Sequence, residues 1–494
     1  MPVDLKILLA TAEVMPLAKT GGLADVCASL PSALRDLNTD ARILTPAYRG
    51  STTGLATEPV GKPFQPMAGA QNVRLLKGTL PDTQVPVYLI HCPELYDRPG
   101  DPYTDQYGND HPDNAIRFGV LSKVAALFGS GAGQADWKAD VIHGHDWHCG
   151  LASAYLKFDD RSTAASVFTI HNLAYQGNFD RKVRRALGID SLAFHMDGLE
   201  FYGHLSFMKS GIFYADEVTT VSPRYASEIQ DSAFGFGMDG VLRRRSENLT
   251  GVLNGIDTDG WNPATDSTIA ANFSADDLEP RNECRRALLQ QFGMDAASDQ
   301  MVIGMLGRMS AQKGWELLLG AAPVLLGEGL RLMLVGHGNQ AYVDKIKTLQ
   351  SEYPGQVGYF EGFDEAVAHR VVSGVDVLAI PSVFEPCGLV QMYAQRFGAL
   401  PVAHRTGGLA DSIRDSAGPA DGPATGFLFD APTETALLKS LRRAARLRTQ
   451  DPDKWRRMQR AAMDTDFDWQ TSASRYADLY QTAFDTRLAR GAVL

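Results

Sequence analysis

Met301-Val302-Ile303-Gly304-Met305-Leu306 runs directly into Gly307-Arg308-Met309-Ser310-Ala311-Gln312-Lys313-Gly314. The first part is an unbroken apolar run, which suits a parallel strand covered on both faces. The second is a glycine-bracketed loop with two cations. Leu330–Val335 and Asp376–Ile380 repeat the pattern of apolar run and then turn: Gly336-His337-Gly338 follows one, and Pro381-Ser382-Val383-Phe384-Glu385-Pro386-Cys387-Gly388-Leu389 the other. Upstream, Lys6–Ala10, Arg42–Leu44, Val85–Ile90, Asp140–His143, Ser166–Ile170 and Val218–Val221 read the same way, with helical patterns between them. Such alternation predicts α/β domains built on doubly wound sheets. In such sheets ligands bind beyond the carboxyl ends of the strands, which is where the unusual residues fall.

A length of 494 residues exceeds what one core supports, so two domains are expected. We place the first at 1–255 and the second at 256–463, with 464–494 a C-terminal helix recrossing to the first. The net charge of -11 argues against a nucleic-acid binder and makes any basic ligand site local. No stretch is long and apolar enough to span a bilayer. The N-terminus shows no signal-peptide pattern, and five scattered cysteines suit a reducing cytoplasm.

Lys19-Thr20-Gly21-Gly22-Leu23-Ala24-Asp25 recurs as Arg405-Thr406-Gly407-Gly408-Leu409-Ala410-Asp411, with only the basic residue changed. Each copy follows an apolar run and opens a helical pattern. A Gly pair admits close backbone approach, and a helix N-terminus favours an anion. The phrase therefore reads as a phosphate or sugar-hydroxyl cradle in both halves. Leu23, Val26, Leu30, Leu34 and Leu37 keep helical spacing after the first copy, although Pro31 is expected to kink or shorten that helix.

Arg308 and Lys313 suit a diphosphate, one as a fork and one as a point charge; the plain alternative is a solvated loop. Glu385 precedes a predicted helix with Pro386 at its first position and Gly398 and Pro401 at its end. The N–H groups of Cys387, Gly388 and Leu389 would then face an oxyanion or hydroxyl. His143, His145 and His148 resemble metal ligands, but Trp147 stands where a metallo-hydrolase signature needs Asp. The Asp-x-Asp strings Asp257/Asp259, Asp464/Asp466 and Asp466/Asp468 read as turn residues. Gly129–Gly133 follows a helix and lacks the context of a dinucleotide fingerprint.

Together these phrases, with His143–Gly150, His171–Gly177, Asn254–Asp257, Asp101-Pro102-Tyr103, Gly362–Glu365 and Asp466–Trp469, resemble bacterial glycogen synthase and the similar plant starch synthase. The resemblance covers essentially the whole chain in order. It implies two Rossmann-like domains facing across a deep cleft, the GT-B fold. It implies glucose transfer from ADP-glucose to the non-reducing end of an α-1,4-glucan, with retention and without metal or cofactor. By position, Lys19 and Gly21-Gly22 would contact the donor phosphates, and Arg308 and Lys313 the leaving ADP. Glu385 and the Cys387–Leu389 amides would orient the glucosyl ring, with His171 beside the anomeric carbon. Tyr103, Asp146, Trp147 and Asn172 would line the acceptor side, and Asn254 would lie near the hinge. The wider fold group often has a second Glu eight positions after the first; that position is Tyr393 here, and bacterial glycogen synthases also lack that Glu. Gly61–Ala70 matches no motif.

Overall fold

A computed structural model describes residues 5–418 and 422–491. The chain forms two compact units, Met1–Gly255 with Trp469–Leu494, and Ile256–Asp468.

The strands of the first unit are β1 (Lys6–Ala10), β2 (Asp40–Pro46), β3 (Glu58–Phe64), β4 (Val73–Thr79), β5 (Pro86–His91), β6 (Val141–His145), β7 (Ala165–Ile170), β8 (Asn178–Asp180), β9 (Glu200–Phe201), β10 (His204–Ser206), β11 (Glu217–Thr220) and β12 (Leu249–Gly251). The main sheet has the order β12-β11-β7-β6-β1-β2-β5-β4-β3, and β8, β10 and β9 form a small separate sheet. All pairs from β12 to β5 are parallel, and β4 and β3 add an antiparallel edge. That hairpin contains the start of Gly61–Ala70, whose turn places Met67 and Ala70 in the core.

Alternation along β1 explains why the sheet is covered on both faces. Leu8 and Ala10 join the core beneath the helix Asn114–Ser130, whereas Ile7 and Leu9 pack on the opposite side with Val26, Leu30 and Leu34. The helix carrying those last three residues spans Gly22–Asp36 without a break at Pro31, contrary to expectation. Pro31 is itself buried, and burial of this face outweighs one lost helical hydrogen bond.

The C-terminal helix Trp469–Gly491 belongs to the same face. It buries Trp469, Tyr476 and Tyr480 there, each worth roughly 1.5–3 kcal/mol. Ser472 Oγ donates to the Leu253 carbonyl at 2.5 Å, and Arg490 pairs with Asp216 at 2.9 Å.

The second unit has β13 (Val302–Leu306), β14 (Arg331–Gly336), β15 (Val357–Glu361), β16 (Val377–Ile380), β17 (Leu400–His404) and β18 (Phe427–Phe429). Its order is β15-β14-β13-β16-β17-β18, all parallel. Read from β13 outward this is the doubly wound 3-2-1-4-5-6 order, with its topological switch point between β13 and β16. In the first unit the corresponding reversal falls between β1 and β6. Among the described residues, no helix is long and apolar enough to cross a membrane.

Candidate active site

Each unit gathers its chemistry at the switch point of its own sheet. In the first unit the centre is Glu13, just past the end of β1 and only 3% exposed. One of its oxygens accepts from the N–H groups of Thr20 at 2.5 Å and Gly21 at 3.2 Å. The other accepts from Thr20 Oγ1 at 2.7 Å and from the Tyr103 hydroxyl. A single carboxylate thus moulds the Lys19–Gly21 loop and ties it to Tyr103. Lys19 Nζ lies 2.7 Å from Asp25. A Cβ on Gly21 would meet no protein atom within 4 Å, so the cradle is open at this point.

Sequence reasoning passed over Glu13. Its only local signal is a carboxylate in an otherwise apolar Ala10-Thr11-Ala12-Glu13-Val14 run at the end of a strand.

Asp146, after β6, has φ 59° and ψ 179°, a conformation that side-chain-bearing residues seldom hold. Burial pushes its carboxyl up to about 8, offset in part by the N–H groups of Trp147, Asn172 and His171 and reinforced by the charge of Glu13. The group is therefore mainly protonated at neutral pH.

Those amides bring the loop after β7 to the end of β6. His145 Nδ1 and His171 Nε2 meet at 3.0 Å. His143 bonds to the Tyr480 hydroxyl at 2.8 Å and to Thr169 Oγ1 at 2.6 Å. Burial lowers His143 and His171 to about 3, so both rings are neutral. The histidines thus bond to each other and to hydroxyls, and no cluster among the described residues has the make-up of a metal site.

Trp147 rests on Gly177, where an added Cβ would lie 2.2 Å from the indole ring. His148 stacks on Tyr103 with ring centres 4.8 Å apart. Asn172 Oδ1 accepts from Ala174 N–H at 3.1 Å. Asn254 is buried beyond the end of β12, and its side-chain oxygen has no partner among the described residues.

In the second unit the buried Glu385, after β16, accepts from Lys313 Nζ at 2.7 Å and Ser382 Oγ at 2.9 Å. The Gln312 carbonyl accepts from Val383 N–H at 2.8 Å, locking the loops after β13 and β16 together. Arg308 is exposed in the same β13 loop, which a 2.8 Å bond from Met309 N–H to the His337 carbonyl joins to the loop after β14.

Two expectations are corrected here. The helix after Glu385 is Val390–Arg396, with Leu389 as its N-cap, so Pro386 is not its first residue. Gly388 has φ +70°, a left-handed turn that cannot be part of a helix, so Cys387 and Gly388 lie in the approach to it. The second correction concerns the repeat. A Cβ on Gly407 or Gly408 would strike the Glu385 or Cys387 carbonyl at 2.0 or 2.1 Å. Arg405 pairs with Asp415 and Asp430. The second copy is thus a packing joint that supports the Glu385 loop, while the first faces open space.

Tyr393 stacks on Trp261 with ring centres 3.7 Å apart. Asp257 and Asp466 accept from N–H groups of their own turns. Cys387 is buried, and among the described residues it is unbridged like the other cysteines.

Residues 6–244 match the family model of the starch synthase catalytic domain, and residues 290–462 that of glycosyl transferases group 1. The glycogen synthase of Thioalkalivibrio sulfidiphilus is 45% identical over 482 residues, covering 97% of this chain and 99% of that protein. That of Paracidovorax citrulli is 44% identical over 491 residues, covering 97% and 95%. The chain belongs to the glycogen synthase family.

Among solved structures, the catalytic domain of starch synthase IV from Arabidopsis thaliana, bound to ADP and acarbose, matches with a TM-score of 0.87 and 31% identity over 98% of this chain and 100% of that one. Sucrose-phosphate synthase from Thermosynechococcus elongatus, at 18% identity and a TM-score of 0.59 over 98% and 100%, shares the fold. The glycogen synthase family assignment makes this protein a glycosyltransferase of the GT-B class.

Proposed function

We propose that the protein elongates an α-1,4-glucan, transferring glucose from ADP-glucose to the 4-hydroxyl of its non-reducing end with retention of configuration. The observation that carries this reading is the full-length likeness to a starch synthase whose structure holds ADP and acarbose, joined to cationic loops at both switch points.

Breaking a glycosyl–phosphate bond leaves an oxocarbenium-like sugar and a more negative ADP. Fixed positive groups at the leaving phosphate favour that transition state over the ground state. In this reading Arg308, Lys313 and Lys19 serve the phosphates, with the Gly21–Gly22 amides beside them. Glu385 holds Lys313 by one oxygen, and its carboxylate with the Cys387–Leu389 backbone orients the glucosyl hydroxyls. His171 lies beside the anomeric carbon. Tyr103, Asp146, Trp147 and Asn172 bind the acceptor end, and Asn254 marks the hinge. The leaving phosphate itself helps deprotonate the acceptor hydroxyl, so attack comes from the same face. No metal or cofactor enters this scheme.

The test is to incubate the purified protein with ADP-glucose or UDP-glucose, with and without glycogen, before and after EDTA dialysis. ADP release should require glycogen, favour ADP-glucose and survive EDTA. Equal rates with both donors, release without glucan, or a strict need for added metal would each count against the reading.

A further inference from the structure

Two tight turns of the first unit each hold an aromatic residue where the backbone favours asparagine, aspartate or glycine. Tyr202 has φ 48° and is followed by Gly203 at 83°; Phe236 has φ 48° and is followed by Gly237 at 82°. A bulky side chain holds such a left-handed conformation at a cost in stability, and it persists where the residue serves something else. Core packing is not the reason here, because Tyr202 is 80% exposed and Phe236 40%.

The two turns touch. Tyr202 lies in the turn between β9 and β10, and its ring meets that of Phe201 edge-on with centres 4.7 Å apart. A Cβ on Gly237 would lie 3.2 Å from the Phe201 ring and 3.5 Å from that of Tyr202, so the second turn lies against the first. The Phe236 carbonyl accepts from Gln176 Nε2 at 3.0 Å, and Gln176 Oε1 accepts from Asn178 Nδ2 at 3.1 Å. On one side of Gln176 stands the exposed Tyr175, whose N–H donates to the Asn172 carbonyl at 3.2 Å. On the other side is Gly177, against which Trp147 rests. An unbroken path of contacts therefore runs from Trp147 and Asn172, placed on the acceptor side in the proposed function, through Gln176 to the exposed rings of Tyr175, Phe236 and Tyr202.

The chemistry of this surface fits carbohydrate. The face of an aromatic ring is negative and takes the C–H face of a pyranose, while the hydroxyls of the sugar rim need amide and phenol partners. The three rings supply the first, and Gln176, Asn178 and the two phenols the second. The order of the path fits as well: a polymer whose end reacts beside Trp147 has to continue outward over neighbouring surface.

We propose that Tyr175, Phe236 and Tyr202 form a platform that holds the acceptor glucan beyond its reacting end. This rests on the acceptor assignment proposed above and extends it from the chain end to the body of the chain. Short acceptors end before the platform, so it favours long chains and keeps one bound between transfers.

The full-length wild type, Tyr202→Asn, Phe236→Asn, the double variant and Tyr202→Phe are titrated calorimetrically with maltoheptaose and with maltotriose, and KM is measured for glycogen and for maltotriose. Asparagine suits a left-handed turn, so the melting temperatures of the Asn variants should hold or rise. Each Asn variant should still weaken maltoheptaose binding about fivefold or more, and the pair about twentyfold or more, with a matching rise in KM for glycogen. KM for maltotriose should change less than about twofold, and Tyr202→Phe, which keeps the ring, should bind within about twofold of wild type. No binding of maltoheptaose by wild type, unchanged affinity in the double variant, or equal losses for maltotriose and maltoheptaose would each overturn the proposal. So would a wild-type dimer in analytical ultracentrifugation that the double variant dissolves without loss of glucan binding, because the rings would then meet a second copy. Maltoheptaose binding by wild type without ADP release from ADP-glucose would instead strike the proposed reaction and leave the titrations decisive.

Discussion

Replacing Glu13 by Gln changes the charge at the centre of the first unit's site while keeping its shape. The carboxylate accepts four hydrogen bonds, two from the Thr20 and Gly21 amides and two from the Thr20 and Tyr103 hydroxyls. A glutamine can present its carbonyl to the amides, and its NH2 then faces the hydroxyls, which must rotate to accept. Geometry survives, but four charge-assisted bonds become neutral. Such bonds are worth roughly 1.5–3 kcal/mol against about 0.5–1.5 for neutral ones, a difference of about 1 kcal/mol each. With partial exposure of the loop, the expected cost is roughly 2–4 kcal/mol. If the loop unfolds with the whole unit, the melting temperature falls by roughly 5–15 °C. If the loop opens alone, stability is nearly unchanged and kcat/KM falls about 30- to 1,000-fold. Urea denaturation and initial-rate kinetics on the same preparations separate the two. Tyr103→Phe provides the internal control: it should cost about 1 kcal/mol by itself and little in a Glu13→Ala background. Stability and kcat/KM for Glu13→Gln both within about 0.5 kcal/mol of wild type would refute the hub role.

Asp146 makes stability depend on pH. Its folded carboxyl titrates near 8 and its unfolded one near 3.8, so the folded state holds the extra proton between them and stability falls as pH rises. His143 and His171, lowered to about 3, act oppositely but only below their ordinary value of 6.5. Between pH 6.5 and 8 Asp146 dominates among these groups, and wild type should lose roughly 2 kcal/mol in urea titrations; Asp146→Asn should flatten that slope. Asp146→Gly should relieve about 1–3 kcal/mol of backbone strain, less about 0.5–1 for glycine's entropy, raising the melting temperature while lowering kcat; a lower melting temperature would deny the strain. Lys313→Ala and Glu385→Gln share one ion pair, so a kinetic double-mutant cycle should give a coupling of about 1 kcal/mol or more, whereas Arg308→Ala with Glu385→Gln should be additive; equal couplings would dissolve the distinction. Gly177→Ala drives a methyl into Trp147 at a φ of +55° and should quench or shift the tryptophan emission and weaken glucan binding; unchanged fluorescence would show that the ring is not held there.

Much of the fold is legible in the residues themselves. Unbroken apolar runs mark the parallel strands, because a strand covered on both faces needs apolar residues on both. Gly and charged clusters mark their carboxyl ends, because only loops can hold polar groups there. Gly398, at φ +68°, ends the helix Val390–Arg396 where the spacing to Pro401 places that end. The antiparallel edge β3–β4 was not legible, since β3 is mostly exposed and carries Pro59, Gly61 and Pro63, and Arg74, Lys77 and Gly78 interrupt the apolar residues of β4.

What only the tertiary structure decided is which neighbour each motif meets. Two almost identical phrases end in opposite environments, Gly21 open and Gly407–Gly408 filled by the Glu385–Cys387 backbone, because packing partners come from distant segments. Glu13 looks like one acidic residue among many until folding sets Thr20, Gly21 and Tyr103 around it. The raised carboxyl of Asp146 and the lowered rings of His143 and His171 come from burial by helices and loops far away in the chain, including the C-terminal helix whose Tyr480 reaches His143. Local sequence records periodicity and turn chemistry, while desolvation and partner choice are set by long-range contacts that no short stretch contains.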